Sequence, residues 1–361
     1  MTQSRWTTLP TLALILAVAA APADAARQTQ NEQSERTVEA AGLSGLEVDN
    51  PRGDTEVHAS ADGRIHLRAL KVVRANDDAE AKTLSAATRV EAETSGGRYR
   101  IRVVYPQRHT IEIGFWDFFH DGGFTLPQSE VRLTIEVPAG FAVHLASTSG
   151  DLETDDLVGR QQIETVSGDV HVRNARGELG CSSTSGDIDG ELGGPARLRT
   201  VSGDITIETA GRALDAHTTS GDLVIRDAAD SLTLGSVSGN IKVARAPRGV
   251  SAVSTSGDIT VHSAAGTCVL GTSSGNVDVT FDPRLASAEV SSGSGDLRAH
   301  LPSGLGATLD MRTSNGSIDV TAPLAVKNVT RRSVTGRVGG GEALITLRSS
   351  SGDIQILSGG D

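Results

Sequence analysis

Thr165-Val166-Ser167-Gly168-Asp169-Val170-His171-Val172 returns about 18 residues later as Ser183-Thr184-Ser185-Gly186-Asp187-Ile188, and again as Thr200-Val201-Ser202-Gly203-Asp204-Ile205. Its core, Ser-Gly-Asp/Asn followed by Ile, Leu or Val, runs from Ser149 through Ser220, Ser238, Ser256, Ser274 and Ser294 to Ser351. Asn315-Gly316-Ser317-Ile318 and Thr335-Gly336-Arg337-Val338 read as degenerate copies filling the late gaps. A fixed period over more than half a chain means that one small unit is stacked many times.

Aligning the copies on the Gly gives four apolar columns. Two residues after it stand Leu152, Val170, Ile188, Ile205, Leu223, Ile241, Ile259, Val277 and Leu297, and four after it Val172, Ile207, Ile225, Val243 and Val261. Five before it stand Leu145, Ile163, Cys181, Leu198, Leu234 and Leu270, and seven before it Val143, Leu179, Leu214, Leu232, Val250 and Cys268. Residues between the columns are polar or small. Two period-2 segments per repeat predict two short strands, each with one buried face. The Ser-Gly-Asp turn joins them, with Gly expected to supply a positive φ and Asp or Asn to bond a nearby backbone N–H. A second turn uses Gly159, Gly177, Gly193, Gly211, Gly249 and Gly266.

The expected fold is therefore all-β, a parallel β-solenoid with about 18 residues per rung, about 12 regular rungs and a length of roughly 55 Å. Cys181 and Cys268 fall five rungs apart, roughly 24 Å at the parallel-strand spacing. A disulfide needs Cα atoms within about 7 Å, so both are expected as buried free thiols.

Four segments are expected: a signal peptide (1–25), a flexible linker (26–42), an irregular N-terminal β region (43–140) and the regular repeats (141–361). Met1–Ala25 has Arg5 as its positive region, an apolar Leu9–Ala21 stretch and an Ala23-Asp24-Ala25 cleavage site. That stretch is too short to span a membrane stably, which implies an exported chain, periplasmic or at the cell surface. The formal charge of −12 makes nucleic acid or anionic lipid a poor partner.

In residues 43–140 the columns return weakly. Gly53 has Leu46, Val48 and Val57, while Gly97 has Val90, Ala92, Tyr99 and Ile101, so irregular early rungs are expected, with a separate small β-sandwich as the alternative. A short helix is predicted around Asp77–Thr88 and strands at Ile65–Val73, Arg98–Tyr105 and Val131–Val137. One insertion holds half of all Phe, Trp and Tyr residues: Phe115, Trp116, Phe118, Phe119 and Phe124. It reads either as a cap over an open solenoid end or as a partner contact surface.

Several motifs are by-products of the repeat. Gly271-Thr272-Ser273-Ser274-Gly275 matches a nucleophile elbow, which requires a strand–turn–helix context that the repeat does not offer. The Asp column (Asp151, Asp169, Asp187, Asp204, Asp222, Asp258, Asp296 and Asp353) offers one carboxylate per rung, a sparse set for calcium, and turn-forming Asp is the ordinary reading. Arg52-Gly53-Asp54 sits at a turn, and His109 and His120 lack a ligand spacing. No catalytic residue, cofactor or metal site is assigned.

A signal peptide, irregular strands ending in Ile135-Glu136-Val137-Pro138-Ala139-Gly140, and repeated Thr/Val-Ser-Gly-Asp-Ile-x-Val units together resemble the bacterial putative-adhesin family, a group of unassigned function. The resemblance covers roughly residues 40–361 and carries no catalytic residues to transfer. The family name implies adhesion, and the export signal, the repeated surface and the absence of a catalytic cluster point to a non-enzymatic β-solenoid that binds or scaffolds an envelope component, glycan or protein. The alternatives are a polysaccharide-active β-helix enzyme, lyase or hydrolase, and an envelope-stress sensing component. The aromatic insertion departs from the plain family pattern.

Overall fold

The computed structural model describes residues 28–75, 77–106 and 128–358. The described residues are all-β apart from one helix, and the chain divides into two compact units, residues 1–150 and 151–361.

In the first unit, Gln28–Val38, expected to be part of a flexible linker, is instead a strand that lies antiparallel to Ile65–Ala75 over its whole length. Ile65–Ala75 is in turn antiparallel to Gln128–Val137, which runs parallel to Thr55–Ala59. In a second array, Arg98–Val104 lies parallel to Gly45–Arg52, and Gly45–Arg52 parallel to Ala142–Ser149. Alternate residues are buried, among them Leu46, Val48, Ile101, Leu133, Ile135 and Leu145, as period-2 patterning dictates. The predicted helix forms over Asp78–Ala87. Asp77 caps it by accepting the Glu80 N–H at 2.7 Å, and acidic Asp78 and Glu80 suit its N-terminal dipole. Ala81 packs against Val73 and Ala75.

The weak copy at Gly53 stacks as expected: Leu46 pairs with Val143 and Val48 with Leu145, in parallel. The reading of Gly97 as a repeat turn is corrected. Gly96 and Gly97, at φ +58° and +74°, close an antiparallel hairpin between Arg89–Ser95 and Arg98–Val104. Two consecutive positive-φ residues suit a two-residue hairpin turn, which reverses the chain instead of carrying it onward.

In the second unit, strands that follow the Ser-Gly-Asp turns pair in parallel with their counterparts one repeat later: Leu152 with Val170, Val170 with Ile188, Ile188 with Ile205 and Ile205 with Leu223. The strands before the turns do the same, Gln161 with Leu179, Leu179 with Ala196 and Ala196 with Leu214. The apolar columns are the core, with Leu152, Ile163, Val170, Ile188, Leu198 and Ile205 nearly inaccessible. Cys181 and Cys268 are buried and free, and burial pushes both thiols up to about 12.

Two expectations fail at the C-terminal end. The repeats do not stack in chain order: Ser287–Ser292 pairs with Leu344–Ser349, which pairs on its other side with Ala307–Thr313. Likewise Leu297 and Ile318 both pair with Ile354. The last repeat is thus inserted between two earlier ones. Thr335-Gly336-Arg337-Val338 is no repeat turn. It lies inside Ser333–Val338, a strand antiparallel to Ala307–Thr313. Arg337 stands where the other copies have an acceptor, and a guanidinium only donates.

Candidate functional site

The signature residues are spent on the fold. Each Asp or Asn accepts, at Oδ1, the backbone N–H of the equivalent residue in the next repeat: Asp151 from Asp169 (3.0 Å), Asp169 from Asp187 (2.9 Å), Asp187 from Asp204 (2.8 Å) and Asp204 from Asp222 (2.8 Å). The line continues from Asp222 through Asn240, Asp258, Asn276 and Asp296 to Asp353. Among the described residues no group of three or more His, Cys, Asp or Glu is arranged to hold a metal ion.

The Gly does not work through positive φ, as expected from the sequence. Among the Ser-Gly-Asp glycines and the weak copy at Gly53 only Gly53 adopts one, at +95°, whereas Gly249 and Gly266 of the second turns do so at +130° and +66°. The Ser-Gly-Asp glycines of the second unit are required by contact: a Cβ on Gly186 would overlap the Gly168 carbonyl oxygen, one on Gly203 that of Gly186, and one on Gly221 that of Gly203. A third column, three residues before each Gly, was not recognised in the sequence. Thr200, Thr218, Ser236 and Ser254 are buried. Each hydroxyl accepts the N–H of its own turn Gly and donates to the Gly carbonyl one repeat back, or makes one of these bonds; Thr218 makes both at 3.1 Å. The signal was present as an invariable Ser or Thr beside an apolar strand, where an unpartnered hydroxyl would be costly.

The remaining sequence motifs are placed as follows. Ser273 lies at an exposed turn that leads into the strand Val277–Ser292, so the helix of a nucleophile elbow is missing. Arg52 stacks 5.3 Å from the Tyr105 ring centre, and Arg132 Nε lies 3.6 Å from Asp54. Phe115, Trp116, Phe118, Phe119 and Phe124, with His109 and His120, lie outside the described residues, as does Met1–Ala25.

What the ladders leave over is the outward face of the strands before the turns. Register places Gln162, Gly180, Arg197, Asp215 and Thr233 in one row, and Glu164, Ser182, Arg199, His217 and Gly235 in the next. Gly180 and Ser182 are short among long neighbours, which opens a shallow groove of about 540 Å³ lined by Gln162, Arg197, Arg199 and Asp215. Arg197 Nε is 3.1 Å from Asp215 Oδ2, and His217 Nε2 approaches Asp215 Oδ1 to 2.7 Å, off the hydrogen-bond direction. Gly235 leaves the room that the His217 ring occupies, since a Cβ there would overlap Nδ1. Arg160 and Glu178 pair at 3.7 Å at the rim. Arg199 is exposed and forms no ion pair among the described residues. The groove presents cations, carboxylates, an amide and hydroxyls to solvent.

Solved structures that match the chain include a putative cell adhesion protein from Clostridium sporogenes (9% identity, 91% of this chain and 100% of that one, TM-score 0.21). Others are a putative lipid binding protein from Parabacteroides distasonis (14%, 74% and 96%, 0.31) and a putative adhesin from Bacteroides fragilis (10%, 90% and 97%, 0.26). No curated protein matches the chain. The Toastrack DUF4097 family model matches residues 44–226, 194–263 and 252–357, which together span the repeats and most of the first unit. The chain therefore belongs to the Toastrack DUF4097 family.

Proposed function

We propose that the protein is an exported, non-enzymatic binding or scaffold module of the cell envelope, built as a parallel β-solenoid with rungs of about 18 residues. The observation that carries this reading is the groove over Gly180. It is shallow and open, with polar and apolar surface in about equal parts, whereas small-molecule sites are enclosed and mostly apolar. Rows of side chains repeating at the parallel-strand spacing of roughly 4.8 Å suit an extended ligand, such as an envelope glycan or polypeptide. Export is supported by the leader-like Met1–Ala25. Among the described residues no helix is long and apolar enough to cross a membrane. Phe115, Trp116, Phe118, Phe119 and Phe124 are assigned as a further partner contact on composition alone, which deletion of residues 114–123 tests.

The test is a binding screen of glycans and envelope extracts with the wild type and Gly180→Val. A Cβ at Gly180 meets only the flexible end of Gln162, so the variant fills the groove at little cost to the fold. Binding by the wild type that the variant loses supports the reading. Binding that the variant retains moves the site elsewhere, and a wild type that binds nothing but releases sugar ends from a polysaccharide overturns it.

That last outcome belongs to the second reading, a polysaccharide-active enzyme, which the same groove favours through its three arginines and two carboxylates. Glycoside hydrolysis ordinarily needs two carboxyl groups facing each other across the bond. Here Glu178 and Asp215 each face an arginine, which is why binding is preferred.

A further inference from the structure

Residues 321–341 contain Lys327, Arg331, Arg332 and Arg337 and no Asp or Glu, in a chain of formal charge −12. They form the strand Ala325–Thr330, a turn at Arg331-Arg332, and the strand Ser333–Val338. The second strand is anchored. It runs antiparallel along Ala307–Thr313, from Ala307↔Val338 to Arg312↔Ser333, and buries Val334. Ala325–Thr330 is different. Its sole strand partner among the described residues is Ser333–Val338. Ala325, Lys327, Asn328, Val329 and Thr330 are all exposed, Val329 at 60%. Lys327, Arg331 and Arg332 form no ion pair among the described residues, although ion pairs are frequent along the rest of the chain.

We infer that the free edge of Ala325–Thr330 is a docking strand for an extended, acidic segment of a different polypeptide. An uncovered edge presents a row of N–H and C=O groups that another extended chain can complete, with side-chain chemistry deciding which chain is accepted. Lys327 within the strand and Arg331 and Arg332 at its end set that chemistry. A second copy offering the same edge would bring like charges together, which destabilises cross-strand pairs, so self-association is disfavoured. An acidic strand gains at each of the three positions. Among the described residues the patch shows one large exposed apolar side chain, Val329, against three cations, which fits a charged polypeptide better than a bilayer. Strand blunting alone accounts for Lys327, but not for Arg331 and Arg332 beyond the strand end. This inference stands apart from the groove over Gly180 and survives or falls without it.

The test uses the chain without residues 1–25 and a synthetic peptide of alternating Val and Glu, followed by fluorescence anisotropy at low and moderate salt. The controls are the same peptide with Lys for Glu, an N-methylated version that keeps the charges but cannot add as a strand, and phosphatidylglycerol vesicles. The inference expects the acidic peptide alone to bind, with affinity falling as salt rises. The triple variant Lys327→Glu, Arg331→Glu, Arg332→Glu should weaken it by about tenfold or more, on the measured worth of exposed ion pairs. All three side chains are exposed, so an unchanged unfolding curve checks that the variant folds. Equal binding of the N-methylated peptide, no binding of the acidic peptide, or preference for the vesicles overturns the inference.

Discussion

Ser317 donates its backbone N–H to Oδ1 of Asp353 at 2.7 Å, and Asp353 donates its own N–H to Oδ1 of Asp296 at 2.8 Å. The last repeat of the chain is therefore the inner member of a stack whose outer member, around Ser317, comes 36 residues earlier. A consequence follows for truncation. A chain ending at Glu342 loses the layer on which Ala288, Val290, Leu309 and Met311 all lean. Hydrogen exchange should show amides of Ala307–Thr313 losing protection along with those of Leu297–Leu301. Ser333–Val338 remains as a partner on the other edge of Ala307–Thr313, so the inserted order is wrong if the truncation leaves every amide of that strand as protected as before.

Why the sequence hid this order is instructive. Every Ser-Gly-Asp turn offers the same donor to one neighbour and the same acceptor to the other, so the copies are interchangeable as partners and their order is not written in the motif. The columns themselves were legible, because a period-2 apolar pattern has one way to be buried. Ile188, Leu198 and Ile205 are core for that reason. The false copy at Gly336 could have been refused on chemistry, since Arg337 cannot accept the next N–H. Ser317 can serve as an outer copy because it need only donate. The groove was illegible: Gly180 sits at an outward position where any small residue satisfies the strand, and its meaning depends on Gln162 and Arg197 in the neighbouring repeats.

The glycine column makes a sharp stability prediction. Gly221 has no positive φ, so alanine suits its backbone, yet the added Cβ would overlap the Gly203 carbonyl oxygen. Backbone cannot yield as a flexible side chain does, and Gly221→Ala should cost roughly 1–3 kcal/mol or more, as overpacking does. Gly140→Ala is the control, since nothing lies within 4 Å of a Cβ there. It should be neutral or stabilise by about 0.4–1 kcal/mol. Urea unfolding of the two variants separates contact from conformational freedom; equal effects would remove the contact explanation.

Thr218 tests the buried hydroxyl column. Its Oγ1 accepts from Gly221 N–H and donates to the Gly203 carbonyl, both at 3.1 Å. Thr218→Val keeps the shape and strands two buried backbone groups, at a cost of about 1–3 kcal/mol for an unsatisfied group. Thr218→Ser keeps both bonds and should recover most of that loss. A valine variant as stable as the wild type would show that the hydroxyls are incidental.

Cys181 and Cys268 lie in columns separated by five parallel pairings, with Cys181 leading through Leu198, Ala216, Leu234 and Ala252 to Leu270, and Cys268 pairing with Val250. Burial holds both thiols near 12, so almost no thiolate exists at neutral pH. A thiol reagent should leave the folded, unreduced protein untouched and titrate both cysteines once it is denatured. Recovery of fewer than two thiols after denaturation without reductant would break the stacking register.

Two carboxylates should respond to acid with opposite sign. Asp282 is held down to about 2, first by its hydrogen bond from the Arg284 side chain, while Asp189 is raised, first by desolvation and then by Asp187, Asp169 and Asp204 against the pull of His171. For Asp282 the folded pKa lies below the unfolded value near 3.9, so its stabilisation is present above that value and is lost as pH falls toward 2. Asp282→Asn should therefore destabilise at pH 7, with the gap to wild type closing between about pH 4 and pH 2. For Asp189 the folded pKa lies above the unfolded one. The favourable protonated state is fully present below about 3.9, and stability is lost as pH rises through the folded value. Asp189→Asn, which removes a charge from beside three other carboxylates, should then stabilise the protein at pH 7 and leave it unchanged near pH 3. Urea midpoints of both variants across this range check the signs, and an Asp189→Asn variant less stable than wild type at pH 7 would mean that His171, 3.5 Å away, outweighs the acidic column.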